Sequence, residues 1–351
     1  MKIEDRILRL CARQGFLPAH QEAVADLCRR HAVDWDRLAG TAERHGVLPI
    51  VGANLRRCDR KVLRLPEETA GRLEMAIFEN AAVRERDAER LAEGLARLRT
   101  VDLEAMLLKG TALTLSVYEE PWVVTSLDID LSLRPGPGWE KDKGDERKIR
   151  KALYTHGVEC DLEAHHDVTM NGVLPIDFER IWREALPVKF RGVDAWVMSP
   201  EDLLISLCIN ACRKRYFRLK ALFDLNETLR RGGPFDWTRL AALARQGRCE
   251  GIVYTALVAA RETLGAEVPP EALDALKLSP LRAALLRRLV AAFLRVGSFH
   301  GRAGRGAALL LTYASLRPAE AWRSVSYSVT HPDKHKGEDP FAPLTSPQTL
   351  S

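Results

Sequence analysis

No stretch of the chain approaches the run of about 18 apolar residues that reads as a membrane-spanning helix. The N-terminal residues also lack the basic, apolar and small-residue order of a secretory signal. Both absences set the expectation of a cytoplasmic protein with no membrane partner. The seven cysteines are scattered and include no Cys-x-x-Cys pair, which argues against a structural zinc. Cys208 and Cys212, four apart on an expected helix, are read as small buried thiols in a reducing compartment. Internal repeats are missing. A strong charge of one sign is missing too: 53 Lys and Arg against 48 Asp and Glu leave +5 over 351 residues. A balance this mild suits an anionic small substrate such as a nucleotide and makes nucleic acid an unexpected partner.

What is present divides the chain by its patterning. Hydrophobic residues make up 46%, enough for sizeable cores. Residues 1–100 read as an N-terminal helical region, with a break and apolar plug at Gly46-Val47-Leu48-Pro49-Ile50. Its longest helix is expected over Pro66 to Arg99, where Ile77, Ala81, Ala88, Leu91, Leu95 and Leu98 recur at helical spacing. Residues 101–198 change to an α/β pattern: a strand at Ala105 to Leu108, a turn at Lys109-Gly110-Thr111, and a helix over Ala112 to Tyr118. A strand over Ser126 to Leu133 follows, then a helix over 140–154, a strand from Val158 to about Val168, and a strand over Val193 to Met198. Residues 199–324 are helical again. They open on Ser199-Pro200-Glu201-Asp202, an N-cap serine, a first-turn proline and first-turn acids. Residues 325–351 are polar with several prolines and are expected to form a flexible tail. The fold class is therefore α+β, a small mixed sheet flanked by N-terminal helices and a helical C-terminal domain.

The strand over Ser126 to Leu133 alternates without a fault. Leu127, Ile129, Leu131 and Leu133 share one face; Ser126, Asp128, Asp130 and Ser132 share the other. That polar face presents two carboxylates at i and i+2, with Cα atoms roughly 7 Å apart. Like charges so close are costly unless a cation or a function holds them together. The next strand also carries acids on its polar face: Glu159, Asp161 and Glu163, followed by His165. Two acids on one strand and a third on its neighbour make an oxygen ligand set suited to magnesium, which shares its remaining positions with water and phosphates. Two such ions about 4 Å apart orient an attacking oxygen and stabilise a leaving pyrophosphate. A glycine turn from strand to helix offers backbone N–H groups to phosphates, and Lys109 in Lys109-Gly110-Thr111 adds a point charge there.

The chain resembles the bacterial family labelled uncharacterised nucleotidyltransferase, within the DNA-polymerase-β-type nucleotidyltransferase superfamily. The resemblance rests on Leu108-Lys109-Gly110, Tyr118 eight residues on, Asp128-Ile129-Asp130-Leu131, Glu163-Ala164-His165, the helix start Ser199 to Leu204, and Leu219-Lys220-Ala221-Leu222-Phe223-Asp224-Leu225. The His45-Gly46-Val47-Leu48-Pro49 plug belongs to the same pattern. These motifs span about residues 40 to 270. The resemblance implies transfer of a nucleoside monophosphate from an NTP to an unidentified acceptor (a small molecule, a peptide or a protein side chain), with Mg2+ or Mn2+. Asp128 and Asp130 would be metal ligands, Glu163 the third carboxylate with Asp161 its rival, and Gly110 and Thr111 the phosphate turn. The family pattern often carries a basic residue four positions before the first Asp; here Val124 stands there.

Lys220 and Asp224, one helical turn apart, admit two readings: an i,i+4 surface pair or a part in closing the nucleotide cleft. Arg213, Lys214, Arg215 and Arg218 form a basic cluster nearby. Alternatives to the transferase reading are a non-catalytic descendant that binds nucleotide or a partner, which Val124 favours, and a sugar-nucleotide glycosyltransferase with an Asp-x-Asp metal site. Against the latter, the chain has no long βα run before its acidic pair.

Overall fold

The structure is a computed structural model and describes residues 2–123, 129–135, 160–161, 168–295 and 302–330. Its N-terminal third is helical: α1 (Ile3–Cys11), α2 (Pro18–Arg30), α3 (Trp35–Arg44), α4 (Leu48–Leu55), α5 (Arg60–Leu63) and α6 (Glu67–Thr100). Asp34 caps α3 by accepting from the Arg37 N–H at 2.9 Å. Gly46 turns the chain at φ 69°, a region that glycine enters without penalty. The expected apolar plug proves to be the first turn of α4, with Leu48, Pro49, Ile50 and Val51 all buried. A Cβ at Gly52 would come within 3.2 Å of Leu73, so the glycine lets α4 press on α6. The long helix runs its expected course and buries Leu73, Leu91, Leu95 and Leu98.

Among the described residues five strands form one mixed sheet: β1 (Leu103–Leu107), β2 (Ile129–Pro135), β3 (Cys160–Asp161), β4 (Leu186–Phe190) and β5 (Val193–Val197), in the spatial order β3-β2-β1-β5-β4. β1 is antiparallel to β2 and parallel to β5. β2 is parallel to β3, and β4 is antiparallel to β5. The fold is α+β, as the alternating and helical patterns predict. β4 is an addition to the sequence reading. It pairs with β5 across Arg191-Gly192, both at positive φ (47° and 84°), the two-residue hairpin geometry that favours glycine. Pro187 is tolerated because β4 is an edge strand.

Between β1 and β2 lies α7 (Lys109–Ser116), and before β4 lies α8 (Phe178–Arg183), capped by Asp177, which accepts from the Arg180 N–H at 2.9 Å. Residue 168 is helical and the turn leading to α8 follows it, so the third expected strand does not reach Val168. The expected helix over 140–154 lies outside the described residues.

The remaining helices are α9 (Pro200–Arg213), α10 (Leu219–Arg231), α11 (Trp237–Gln246), α12 (Glu250–Leu264), α13 (Pro270–Asp274), α14 (Pro280–Arg295), α15 (Arg302–Ser315) and α16 (Pro318–Thr330). Ser199 caps α9, its hydroxyl accepting from the Asp202 N–H at 3.3 Å, and Cys208 and Cys212 are buried on that helix. α15 falls within the region expected to be helical, and α16 carries helix past residue 325, where the tail was expected to begin. Among the described residues no helix is long and apolar enough to cross a membrane.

Candidate active site

The turn after β1 brings the first two candidate residues together. Leu108 is extended, and Lys109 sits in the left-handed region at φ 46°, which costs an L-residue about 1–2 kcal/mol. The chain thereby reverses into α7 within one residue. The β1–β2 ladder pairs Leu107 with Leu131, and the Leu108 N–H extends it by donating to the Asp130 carbonyl at 3.0 Å. Lys109 therefore lands beside Asp130, with Nζ 2.9 Å from Oδ1 and the two side chains 18% and 13% exposed. A charge-assisted bond this sheltered is stronger than a surface pair. Gly110 and Thr111 follow in the first turn of α7, where backbone N–H groups have no intrahelical acceptor.

The parallel pairing of β2 with β3 makes Asp130 and Asp161 Cα partners. The two acids occupy the same register on adjacent strands. Asp128, Glu163, His165, His166 and Val124 lie outside the described residues.

The polar face of β2 is not open along its length. Ser132 is buried and accepts from Trp182 Nε1 at 3.2 Å. The Arg134 guanidinium lies 4.6 Å from the Trp182 ring and 5.3 Å from the Trp196 ring and pairs with Glu104. α8 thus covers the face from Ser132 onward, and Asp130 stands at the edge of that cover. Alternation alone cannot reveal this, because a serine reads as a solvent-facing residue until a tryptophan N–H is found above it.

Three further motif residues converge behind the turn. The Tyr118 hydroxyl donates to Asp224 Oδ1 at 2.5 Å, and Lys220 Nζ sits 2.7 Å from Asp224 Oδ2. The Asp224 side chain is 3% exposed, so the surface-pair reading of Lys220 and Asp224 is replaced by a buried cluster. Burial, reinforced by the Asp224 carboxylate, pushes the Tyr118 phenol well above its ordinary range. The plug docks on the same helix: the Lys220 N–H donates to the His45 carbonyl at 3.2 Å, the Leu219 N–H to His45 Nδ1 at 3.4 Å, and the Arg218 guanidinium to the Arg44 carbonyl. Of the basic cluster, Arg218 is thus committed to α3, while Arg215 occupies a left-handed turn at φ 56°.

A cleft of about 230 Å³ opens beside the turn. Arg84, Asp87, Ala88 and Leu91 of α6 form one wall. Gly110, Thr111, Thr114 and Leu115 of α7, with Tyr118, form the second, and Ile129, Phe190 and Arg191 close the third. Arg84, Asp87 and Arg191 were missed at the sequence level. Only the Arg-Gly pair between two apolar runs signalled the hairpin that carries Arg191.

A family model described as uncharacterised nucleotidyltransferase matches residues 31–265. That span is more than half of the chain and contains every candidate residue named above. No curated protein and no solved structure matches the chain.

Proposed function

The chain belongs to the uncharacterised nucleotidyltransferase family, and from that membership we propose that it transfers a nucleoside monophosphate from an NTP to an acceptor, at the turn between β1 and α7. The observation that carries the proposal is the Lys109–Asp130 pair at 2.9 Å, held by a left-handed lysine. Backbone strain of this kind persists where the surroundings over-determine it, and it clusters at functional sites.

In this reading the amides of Gly110 and Thr111 and the Lys109 ammonium hold the phosphates, helped by the positive end of α7. Hard oxygen donors on adjacent strands are the ligands that Mg2+ and Mn2+ take, and a sheltered Asp130 whose register partner is Asp161 fits such an ion. Asp128, Asp130 and one of Asp161 or Glu163 would hold it. The register supports Asp161, the Cα partner of Asp130 on β3. When bound, the ion supplies charge neutralisation for the phosphates of an in-line displacement.

The acceptor oxygen attacks the α-phosphorus, and the bond from that phosphorus to the bridging oxygen breaks. Pyrophosphate leaves with the bonding electron pair, and the acceptor proton goes to the third carboxylate. The Tyr118–Asp224–Lys220 cluster fixes α7, and with it the phosphate turn, against the C-terminal helices. Pyrophosphate release from each of the four NTPs with Mg2+ or Mn2+ tests the proposal, with UDP-sugars as the comparison. Release from NTPs supports it. Turnover of UDP-sugars alone supports the glycosyltransferase reading, and nucleotide binding without turnover supports the non-catalytic descendant that Val124 suggests.

A further inference from the structure

The cleft beside the turn differs in character from the turn itself. Its two arginines are already matched by acids from α6: Arg84 Nη2 lies 2.7 Å from Asp87 Oδ2, and Arg191 Nη2 lies 2.6 Å from Glu85 Oε2. Between these neutralised pairs the walls are mostly hydrocarbon and aromatic, supplied by Ala88, Leu91, Leu115, Ile129 and Phe190. The Thr114 hydroxyl is spent within α7, donating to the Thr111 carbonyl at 2.7 Å. A site for a triphosphate would instead present cations without partners and many polar donors. The cleft nonetheless shares Gly110 and Thr111 with the phosphate turn. An occupant would lie with one end at the reacting phosphate and its body against apolar walls.

We propose that this cleft binds the acceptor, and that the acceptor is a small molecule with an uncharged, apolar body (an aromatic ring or short hydrocarbon) ending in a hydroxyl. This rests on the nucleotidyl-transfer reading for the acceptor's role, but not for the binding itself. The hydroxyl oxygen forms the new bond to the α-phosphorus and gives its proton to the third carboxylate, pyrophosphate leaves with the electron pair of the broken bond, and the product is a phosphodiester of the apolar alcohol. Apolar burial supplies affinity, and the few polar groups at the turn end set orientation.

The test uses the full-length protein and an uncharged fluorophore, N-phenyl-1-naphthylamine, titrated into wild type, Leu115→Trp and Ala88→Phe. The two substitutions fill the cleft from different helices, and Leu115 is 37% exposed, so a folding defect in one leaves the other to report. Saturable binding to wild type, weakened about tenfold or more in the folded variants, is expected. In parallel, NTPs labelled at the α-phosphate are offered 2-phenylethanol, n-hexanol, glycerol and glucose, and transfer to the first two is expected to exceed transfer to the last two. Absence of saturable binding, binding that both variants leave intact, or preference for glycerol and glucose overturns the proposal. Fluorophore binding with no transfer to any alcohol counts against the nucleotidyl-transfer reading and overturns the acceptor role with it.

Discussion

The Tyr118 hydroxyl donates to Asp224 Oδ1 across 2.5 Å, and this one bond joins the end of the α7 segment to the middle of α10. The other carboxylate oxygen of Asp224 holds Lys220, whose backbone N–H in turn reaches His45 at the end of α3. Three parts of the chain far apart in sequence thus meet behind the Lys109-Gly110-Thr111 turn. The bond therefore has both a stability and a positional meaning.

Tyr118→Phe leaves Asp224 Oδ1 buried without its donor. Removing one partner of a buried, charge-assisted bond costs about 1–3 kcal/mol. Urea unfolding of the variant should show that loss in the midpoint with an unchanged denaturant slope. An unchanged midpoint would mean that the bond does not contribute.

The same phenol predicts an alkaline dependence. Burial, then the Asp224 carboxylate, raises its pKa well above 10, so the folded chain keeps a proton that the unfolded chain releases. The stabilisation is complete below about pH 10, the phenol's unfolded value, and is lost as pH climbs above it toward the folded pKa. Buried Tyr216 and the buried thiols Cys11 and Cys208 are raised in the same direction, chiefly by burial, so wild type should weaken from about pH 9 upward. Tyr118→Phe should flatten the part of that decline above pH 10, measured as unfolding free energy against pH.

Lys109→Gly separates strain from function. Glycine accepts the left-handed turn and recovers about 1–2 kcal/mol of backbone strain. That offsets part of the cost of leaving Asp130 without its lysine. The variant should fold with a stability near that of wild type and lose NTP turnover by about a hundredfold or more, the scale of a lost electrostatic contact to developing charge. Retained turnover would remove Lys109 from the phosphate site.

Ser132→Ala leaves the Trp182 indole N–H buried without its acceptor. The expected cost is about 1–3 kcal/mol. Release of Trp182 against Arg134 should also shift tryptophan emission, which equilibrium fluorescence would detect.

Much of this arrangement is legible from the residues alone. The alternation through Asp130, the Lys109-Gly110 turn and the serine cap at Ser199 rest on local periodicity and local hydrogen bonding, which a short window of sequence contains. The hairpin strand β4 was missed because Pro187 reads as a breaker, and only its edge position makes it harmless. The partnership of Tyr118 with Asp224 spans 106 residues, and no local rule encodes a contact at that distance. The cover over Ser132 escaped for the same reason, since it depends on a tryptophan 50 residues later. The register of Asp130 with Asp161 is likewise tertiary information, and it bears on the choice of third carboxylate where composition was silent.

Asp130, beside Lys109, is proposed to belong to a nucleotidyl-transfer site. The most direct measurement is transfer of label from NTPs labelled at the α-phosphate, with Mg2+, by wild type and by Asp130→Asn, a near-isosteric change that keeps the oxygen facing Lys109. Mg2+-dependent transfer by wild type and a loss of about a hundredfold or more in the variant are expected. Equal transfer by both proteins would contradict the proposal.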